Sequence, residues 1–381
     1  MRTVTIIQRR LTHYRVPFFE LLRERLHANK IRLRVLCGPA TPEERKKHDG
    51  GHLPWAEQLS AQYLLNGRIC IQPFHRATHD DDLVIVGHEN KMICNLIALT
   101  VRRPRRIAFW GHGANFQSTH PEGLKERFKG WSTNRVDWWF AYTDASVPFI
   151  ERFGFPRKRI TVINNSVDTA TLGRMWHEVP AERLESLRRE LRLEGSHVGI
   201  FIGSLYEEKR IGFMLEAATL IKARVPAFEF LVVGAGPQKE EVERFCASHP
   251  WVRYLGMRQE QAKAEVLALS KVMINPGLVG LGILDAFACS VPMLTTDCGL
   301  HSPEIAYLSN GENGIISADT LQAYAKAVSD VLQDRALLTR LRVGCAVSAA
   351  TYTVENMAKH FIDGAMDCLD KPAFDFRKSD A

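Results

Sequence analysis

The chain has 381 residues, of which 45% are hydrophobic and 24% charged, and its formal net charge is +7. This length is too great for one ordinary hydrophobic core and predicts two domains of roughly 150–200 residues each. The composition is that of a soluble globular protein, and no apolar run reaches the ~18 residues needed to cross a bilayer. Since the opening MRTVTII is predicted to be a strand and not a signal peptide, we expect a cytoplasmic protein.

The eight cysteines are scattered, mostly inside apolar runs and without a CxxC pair. This pattern predicts reduced core thiols, and neither a disulfide framework nor a zinc site. Arginine clusters in the first half would favour anionic lipid head groups, a phosphorylated substrate or nucleic acid, although solvated loop charge is the commoner explanation. No zinc-finger spacing, RNP aromatics or KH-type GXXG loop is present, so nucleic acid is not an expected partner.

In the first half, strands alternate with helices along the chain. The hydrophobic pattern predicts strands at 3–7, 31–37, 82–86, 106–110 and 138–142, and helices at 16–27, 91–100 and 146–153. Residues 39–59 are polar and are predicted to form a long surface loop or a mobile lid. A repeated strand-helix order indicates a parallel sheet that is covered by helices on both faces.

The second half begins the same pattern again after a polar segment. Its predicted strands are 198–202, 229–233, 252–255, 272–274 and 293–296, and its predicted helices are 213–225, 238–248, 260–269, 283–288, 318–332 and 336–349. The fold class is therefore α/β, with two doubly wound, Rossmann-like domains facing across a cleft. The last segment, 356–369, is amphipathic and is predicted to cross back to the first domain or to face a membrane.

Polar side chains follow two successive strands of the first domain. His88 and Glu89 come after one strand, and His112 and Asn115 after the next. Because ligands of such sheets bind beyond the carboxyl ends of the strands, these residues are candidates for a site. A single histidine there is more often structural, but two at successive strand ends strengthen the prediction. His112 is the better candidate because its flanking glycines let a ligand approach closely.

The stretch 275–314 is the corresponding candidate in the second domain. A buried strand breaks at Pro276, and Gly280 and Gly282 leave backbone amides uncovered before a short helix begins. Such amides can bind an anion or a sugar hydroxyl, although the glycines can equally serve tight strand-to-helix packing. A nicotinamide cofactor is not expected from the GAG sequence at 234–236, because the third glycine of the dinucleotide fingerprint is replaced by Lys239.

Several motifs together carry a resemblance to a known family. FIGSLYEEKRIGFMLEA, FLVVGAGP, VRYLG, GLGILDAFACSVPMLTTD and PEIAYLSNGENG resemble the C-terminal half of the family-4 retaining glycosyltransferases, and HYRVPFFELL, DLVIVGHEN and FWGHG extend the likeness more weakly to the first half. The resemblance implies the GT-B fold. We expect an acceptor-binding domain at 1–168, a nucleotide-sugar donor domain at 169–352, and a C-terminal helix at 353–381 that returns to the first domain.

The resemblance also implies roles in the donor domain. Lys209 matches the family lysine that lies against the donor diphosphate, where a fixed cation stabilises the charge developing on the leaving nucleotide. Gly203 and Ser204 precede it in the same loop. Since the family usually has arginine in place of Ser204, one phosphate cation is missing here, and Arg210, or Arg9 and Arg15 of the first domain, would compensate for it.

A second departure lies at the family's pair of glutamates, whose places are taken by Gly277 and Asp285. Asp285 is expected to bind the ribose hydroxyls of the nucleotide. Gly277 cannot contact the transferred sugar, so the backbone amides of residues 279–281, including those of Gly280 and Leu281, are expected to hold the sugar and the donor phosphate.

In the first domain, His112 matches the family histidine near the reacting centre. The resemblance implies front-side attack, in which the leaving phosphate oxygen accepts the proton of the acceptor, and His112 orients groups or stabilises charge. In the family, the loop after the first strand usually contains glycines that approach the donor. The loop 8–15 of this chain has none, and this difference suggests a site shaped for a charged acceptor such as a lipid-linked diphosphate sugar. The predicted acceptor-binding residues are Arg9, Arg15, His88, Glu89 and Asn115.

The predicted function is transfer of a sugar, with retention and without a bound metal or cofactor, from a UDP- or GDP-sugar to a glycan or lipid-linked acceptor. Bacterial envelope polysaccharide synthesis at the inner face of the plasma membrane is the expected setting, because a basic first domain suits an anionic membrane surface. Two alternatives stay open. One is a non-catalytic nucleotide-sugar-binding partner of another transferase, and the other is a sugar-nucleotide epimerase on the same fold.

Overall fold

The computed structural model of the protein describes residues 1–45, 49–113 and 130–375. The chain forms two compact units. Unit 1 comprises Met1–Val167 and Val354–Ala381, and unit 2 comprises Asp168–Thr353. The chain therefore leaves unit 1 after its last strand and returns to it with its final helix.

Unit 1 is built on a parallel sheet. A short antiparallel hairpin lies between the third and sixth strands in the sequence. Its described strands are β1 (Arg2–Gln8), β2 (Ile31–Cys37), β3 (Glu57–Gln58), β4 (Gln62–Leu64), β5 (Ile69–Ile71), β6 (Leu83–Gly87), β7 (Ile107–Gly111), β8 (Trp138–Ala141) and β9 (Ile160–Val162). In the described part of the unit, the sheet has the order β3-β2-β1-β6-β7-β8-β9, and β4 pairs only with β5. Strands β1, β6, β7 and β8 are thus neighbours, and their carboxyl ends share one edge of the sheet.

The helices of unit 1 that precede unit 2 and are described are α1 (Val16–Ala28), α2 (Pro42–Arg45), α3 (Ile93–Thr100) and α4 (Val147–Glu151). Helix α1 begins with a proline in its first turn, a position where the missing N–H costs nothing. Its buried residues, Phe18, Phe19, Leu22 and Leu26, recur at helical spacing and face the core. Phe18 lies 5.6 Å from Trp110, ring centre to ring centre, which fixes the start of α1 against β7.

Unit 2 repeats the arrangement with its own parallel sheet. Its described strands are β10 (His197–Ile202), β11 (Phe228–Val233), β12 (Val252–Tyr254), β13 (Val272–Ile274), β14 (Met293–Thr296) and β15 (Gly314–Ser317), in the order β12-β11-β10-β13-β14-β15. Its described helices are α5 (Ala170–His177), α6 (Ala181–Glu190), α7 (Ile211–Arg224), α8 (Lys239–Ser248), α9 (Glu260–Leu269), α10 (Gly282–Ala288), α11 (Leu321–Gln333) and α12 (Arg335–Thr351). Each unit is thus an α/β domain with a parallel sheet.

The final helix, α13 (Val354–Asp370), packs against unit 1. Its Phe361 stacks on Phe140 of β8 with a ring-centre distance of 4.3 Å and an interplanar angle of 13°. A Cβ at Gly364 would lie 2.4 Å from Oγ1 of Thr161, so a glycine lets the helix approach β9 closely. Because its apolar face is buried in this way, α13 is part of the core of unit 1.

Residues 39–59 were predicted to form a long surface loop or a mobile lid. In the described part of this region, the chain instead forms regular structure and packs against the unit. It contains α2 and β3, and Leu53 is 4% exposed. The backbone amide of His13 also donates to the Asp49 carbonyl at 3.0 Å. The high content of charged side chains concealed these attachments, because several of the charged residues pair with distant arginines, as Glu44 does with Arg9 and Asp49 with Arg10.

Within the described ranges, none of the helices is both long and apolar enough to cross a membrane.

Candidate functional site

A pocket of about 270 Å³ lies at the carboxyl ends of β1, β6, β7 and β8 in unit 1. We call it the unit 1 pocket. Its lining includes five of the residues predicted from the sequence, namely Arg9, Arg15, His88, Glu89 and His112. Asn115, the remaining predicted acceptor-binding residue, lies outside the described residues.

Parallel pairing brings these side chains to one place. Gly87 of β6 is in register with Trp110 of β7, and Gly111 of β7 with Ala141 of β8. The pairing continues past the strand ends, since the Tyr142 amide donates to the Gly111 carbonyl at 3.2 Å. Tyr142 was not singled out in the sequence, although the strand-end rule that identified His88 and His112 applies to it equally.

His112 is exposed in the pocket, and its ring meets the ring of Tyr142 edge-on with a centre distance of 4.3 Å. The glycine after it serves packing. Gly113 has a φ of +70°, and a Cβ there would lie 2.7 Å from Cγ1 of Ile150. The space at Gly113 is therefore taken by Ile150, and not kept open for a ligand.

His88 is held by neighbouring aromatic rings. Its ring centre lies 4.7 Å from that of Phe109 and 4.8 Å from that of Trp139, and its Nε2 is 3.4 Å from the Ser132 hydroxyl. These contacts fix the ring while leaving it part of the pocket lining. A supporting role for His88 in the site is consistent with this environment.

The charge of Arg9 is balanced within unit 1. Its guanidinium donates two hydrogen bonds to the Glu44 carboxylate, at 2.9 and 2.5 Å, and a third to the Tyr63 hydroxyl at 3.4 Å. Burial lowers the pKa of Arg9, but these hydrogen bonds outweigh burial and raise it above its ordinary value. The same pair lowers the pKa of Glu44 to about 2, chiefly through the hydrogen bonds from Arg9.

Arg15 is in a different position. It is 5% exposed, and its guanidinium lies over the ring of Trp110 at 4.7 Å. Its Nη2 donates to the Tyr142 hydroxyl at 3.4 Å, whereas its Nη1 has no hydrogen-bond partner among the residues described. Arg15 is thus a buried cation at the pocket wall with part of its donor capacity unused.

In unit 2, two loops meet at the carboxyl ends of β10 and β13. The Leu278 amide donates to the Glu208 carbonyl at 2.8 Å, and Nζ of Lys209 donates to the Leu278 carbonyl. A Cβ on Gly277 would lie 2.4 Å from the Glu208 carbonyl oxygen and 2.6 Å from the carbonyl carbon of Lys209. The backbone of residues 208–209 therefore occupies the space that a glutamate at position 277 would need.

Lys209 is partly enclosed where residues 208–209 meet the loop of Gly277 and Leu278. Burial lowers its pKa to about 8. No carboxylate among the described residues forms an ion pair with it, so its charge is uncompensated when the amine is protonated. A lysine in this environment is suited to bind an anion.

Beside Lys209, the backbone amides of Gly280 and Leu281 donate to no acceptor within the described ranges. The amide of Val279, which the sequence had placed in the same group, is already used, because it donates to Nδ1 of His301 at 3.1 Å. The other ring nitrogen of His301 lies 2.8 Å from the Thr296 carbonyl. Sequence reasoning missed His301, whose only signal is its place shortly after the end of β14.

Two further predicted donor-binding residues have partners inside unit 2. Asp285 forms an ion pair with Lys263 at 2.6 Å. Arg210 donates to the carboxylate of Asp319 and to the Thr296 hydroxyl, and its guanidinium lies over the ring of Phe213 at 4.2 Å. The charge of Arg210 is thus balanced by a carboxylate, unlike that of Lys209.

The loop at the end of β10 also contains Gly203 and an exposed Ser204, and a second glycine pair packs against it. Gly234 and Gly236 have φ values of +149° and +157°. A Cβ on Gly234 would lie 1.8 Å from the Gly203 carbonyl oxygen, and one on Gly236 2.4 Å from that of Leu205. These glycines serve the close approach of two loops, which accounts for them without a dinucleotide.

In the part of the chain that the structure describes, no group of three or more His, Cys, Asp or Glu residues is placed to hold a metal ion.

Comparison with known proteins identifies the class. Residues 196–334 match the model of the family described as "Glycosyl transferases group 1". This segment of unit 2 is therefore similar to the group 1 glycosyltransferases, which confirms the resemblance drawn from the motifs.

Two curated relatives are similar to the chain at low identity. The alpha-monoglucosyldiacylglycerol synthase of Acholeplasma laidlawii is 24% identical over 198 residues, which cover 50% of this chain and 49% of the relative. The phosphatidyl-myo-inositol mannosyltransferase of Mycolicibacterium smegmatis is 27% identical over 195 residues, covering 49% of this chain and 46% of the relative. The chain thus aligns with about half the length of these relatives.

Likeness in structure extends further. The crystal structure of Anabaena Alr3699/HepE in complex with UDP is similar to this chain with a TM-score of 0.71 at 15% sequence identity, covering 96% of this chain and 100% of that one. Together with the parallel sheets of the two units, this confirms the predicted fold class, α/β of the GT-B type with two Rossmann-like domains.

Proposed function

We propose that the protein is a retaining glycosyltransferase that binds a nucleotide-sugar donor in unit 2 and an acceptor in unit 1. The observation that carries the proposal is the position of Lys209. This partly buried lysine has no carboxylate partner among the described residues and is hydrogen-bonded to the carbonyl of Leu278, close in sequence to the amides of Gly280 and Leu281. One cation and two amides that have no acceptor within the described ranges would form a site for a diphosphate.

The donor diphosphate would lie between Lys209 and these amides. Its negative charge grows as the sugar-phosphate bond breaks, and a cation fixed in a partly dry site stabilises that charge more in the transition state than in the ground state. Asp285 would accept hydrogen bonds from the ribose hydroxyls. Since Lys263 already orients the Asp285 carboxylate, little ordering is left to be done when the nucleotide binds.

Retention rests on the resemblance to the family-4 enzymes. The leaving phosphate oxygen would accept the proton of the attacking hydroxyl on the same face of the sugar, so no carboxylate nucleophile is needed. His112, exposed in the unit 1 pocket and supported by Tyr142, would orient the acceptor or stabilise charge. We propose that Lys209 supplies the charge stabilisation for which other transferases use a metal ion, with no bound metal or cofactor required.

For the acceptor, we propose a glycan or a lipid-linked sugar of the bacterial envelope. The names of the two curated relatives, alpha-monoglucosyldiacylglycerol synthase and phosphatidyl-myo-inositol mannosyltransferase, each contain the name of a lipid. The arginines of unit 1 would favour an anionic membrane surface at the inner face of the plasma membrane, where such an acceptor is held.

Two observations favour the alternative of a non-catalytic protein that binds a nucleotide sugar. The backbone at 208–209 excludes a glutamate from position 277, and Asp319 balances the charge of Arg210. The family glutamate is therefore absent here, and the arginine expected to compensate for Ser204 is already engaged by a carboxylate. A non-catalytic protein that binds a nucleotide sugar and supports another transferase would tolerate both changes.

A turnover assay distinguishes a glycosyltransferase from a non-catalytic protein that only binds the nucleotide sugar. The protein would be incubated with UDP-glucose, UDP-N-acetylglucosamine or GDP-mannose and a bacterial lipid extract, and nucleotide release and transfer of labelled sugar would be measured. We expect transfer with one donor, an α-linked product by NMR, and loss of activity in Lys209→Ala. Lys326→Ala, which removes an exposed lysine of α11, is the matched control. Nucleotide binding without release or transfer would favour the non-catalytic function.

A further inference from the structure

We infer that Arg15 binds a phosphate group of a ligand in the unit 1 pocket. The inference rests on the proposed function and deepens it, because the phosphate would belong to the acceptor, which is proposed to bind in unit 1. It assigns the anion contact to one arginine of the loop, although the sequence did not distinguish Arg15 from Arg9.

The charge of Arg15 is buried, and no carboxylate among the described residues balances it. Arg15 is 5% exposed, and its Nη1 atom has no hydrogen-bond partner in the described part of the chain. Withdrawing a guanidinium from water is costly unless it is paired and hydrogen-bonded. No carboxylate of the described residues pairs with Arg15. Since Arg15 lines the unit 1 pocket, an anion from outside the chain would balance the charge of its guanidinium.

The neighbouring arginines make the contrast clear. Arg9 is held by Glu44 through two hydrogen bonds, and Arg10 by Asp49 through two hydrogen bonds of 2.8 Å each. Both are saturated by bidentate pairs within unit 1. The wall of the same pocket thus presents two compensated arginines and a third, Arg15, that no carboxylate in the described ranges compensates.

The guanidinium of Arg15 is also fixed in place. It immediately precedes α1 and lies 4.7 Å above the ring of Trp110, with the ring centres of Tyr14 and Tyr142 at 5.3 and 5.8 Å. Contacts of this kind stabilise the cation and restrict its rotation. A planar fork held in one orientation suits the oxygens of a phosphate, which it can bind in pairs.

The acceptor is the substrate that would carry this phosphate. The donor diphosphate is proposed to lie at Lys209 in unit 2, so the group at Arg15 in unit 1 would be a phosphate that links an acceptor sugar to its lipid. It would enter the pocket as an oxyanion.

The test uses inorganic pyrophosphate as the probe, at low salt, in protein that carries Lys209→Ala. This background removes the diphosphate site of unit 2, so the pyrophosphate that still binds reports on unit 1. We expect calorimetry to detect binding in Lys209→Ala, and adding Arg15→Gln to weaken it at least about tenfold. Arg23→Gln is the matched control, because Arg23 also lies over a tryptophan, Trp55, at 4.6 Å, outside the unit 1 pocket.

Arg15→Lys guards against a folding defect. It keeps the charge and loses the fork, so we expect it to weaken pyrophosphate binding severalfold while near-UV circular dichroism stays native. If Arg15→Gln does not fold, this variant decides. Absence of pyrophosphate binding in Lys209→Ala, or binding that neither Arg15 variant changes, would overturn the inference.

Titration with UDP tests whether the phosphate belongs to the acceptor. We expect Arg15→Gln alone to leave UDP binding unchanged, while it weakens pyrophosphate binding in the Lys209→Ala background. A loss of UDP affinity of about tenfold in Arg15→Gln would contradict the assignment to the acceptor. Failure here is distinguishable from failure of the proposed function, because sugar transfer that Arg15→Gln leaves unchanged contradicts only the anion site. Pyrophosphate binding without any transfer contradicts only the transferase.

Discussion

The backbone amide of Val279 donates a hydrogen bond to Nδ1 of His301 at 3.1 Å. The opposite nitrogen of that ring lies 2.8 Å from the Thr296 carbonyl, so the imidazole connects the loop after β13 to the end of β14. The next two amides along the chain, those of Gly280 and Leu281, donate to no acceptor among the described residues, and they are the ones that we propose bind the donor. In that proposal, His301 positions the loop through its contact with Val279.

Replacing His301 should therefore weaken nucleotide binding. Val279 is fully buried, and a buried amide without an acceptor costs about 1–3 kcal/mol. We expect His301→Ala to lower UDP affinity roughly tenfold and to lower the melting temperature. His301→Asn, whose side-chain oxygen can take the place of Nδ1, should recover most of both. Equal losses in the two variants, measured by calorimetry, would show that the acceptor for Val279 is not what matters.

The lowered pKa of Lys209 predicts a pH dependence of donor binding. With a pKa of about 8, the amine is charged below pH 8 and becomes neutral as the pH rises above it. We expect UDP affinity to be constant from pH 6.5 to 7.5 and then to fall, approaching about tenfold per pH unit. Lys209→Arg stays charged throughout this range and should bind UDP equally at pH 7 and 9.5. A flat profile in the unmodified protein would contradict the role of Lys209.

Gly277 should not accept the glutamate that the family has at this position. A Cβ there would meet backbone atoms of Glu208 and Lys209, which cannot move aside as a flexible side chain can. We expect Gly277→Ala to destabilise the protein by about 1–3 kcal/mol in urea unfolding and Gly277→Glu by more, without a gain in transfer. Gly282→Ala is the control, because no atom lies within 4 Å of a Cβ at that position, and it should be neutral or stabilising.

Replacing Asp285 should weaken binding of a nucleotide without weakening binding of a diphosphate alone. If its carboxylate binds ribose hydroxyls, Asp285→Asn will weaken UDP binding roughly tenfold and leave binding of inorganic pyrophosphate unchanged. Lys263→Met removes the partner of Asp285 but keeps the carboxylate, so it should weaken UDP binding less. Similar losses in both variants would mean that Asp285 acts only through its ion pair.

Much of the fold and part of the site were predictable from the sequence, for a reason visible in the unit 1 pocket. Hydrophobic periodicity locates strands, and the rule that ligands bind beyond their carboxyl ends then selected His88 and His112. Both line the same pocket. Local pattern was sufficient there because register in a parallel sheet carries neighbouring strand ends to one edge.

Partners that are distant along the chain were not predictable. Arg9 pairs with Glu44, which is 35 residues away, and Arg210 pairs with Asp319, which is 109 residues away. Nothing in the sequence near either arginine indicates that its charge is balanced. For the same reason, the sequence could not show that Arg15 lacks a described partner while Arg9 has one, since both are arginines of one basic loop.

Calorimetric titration of the unmodified protein and of Lys209→Ala with UDP, GDP and ADP at pH 7 tests the central claim most directly. We predict that one nucleotide binds with a dissociation constant at least about tenfold below those of the others, and that Lys209→Ala weakens this binding by about tenfold or more while Lys326→Ala does not. Absence of binding by all three nucleotides in folded protein, or equal binding by the Lys209→Ala variant, would contradict the account.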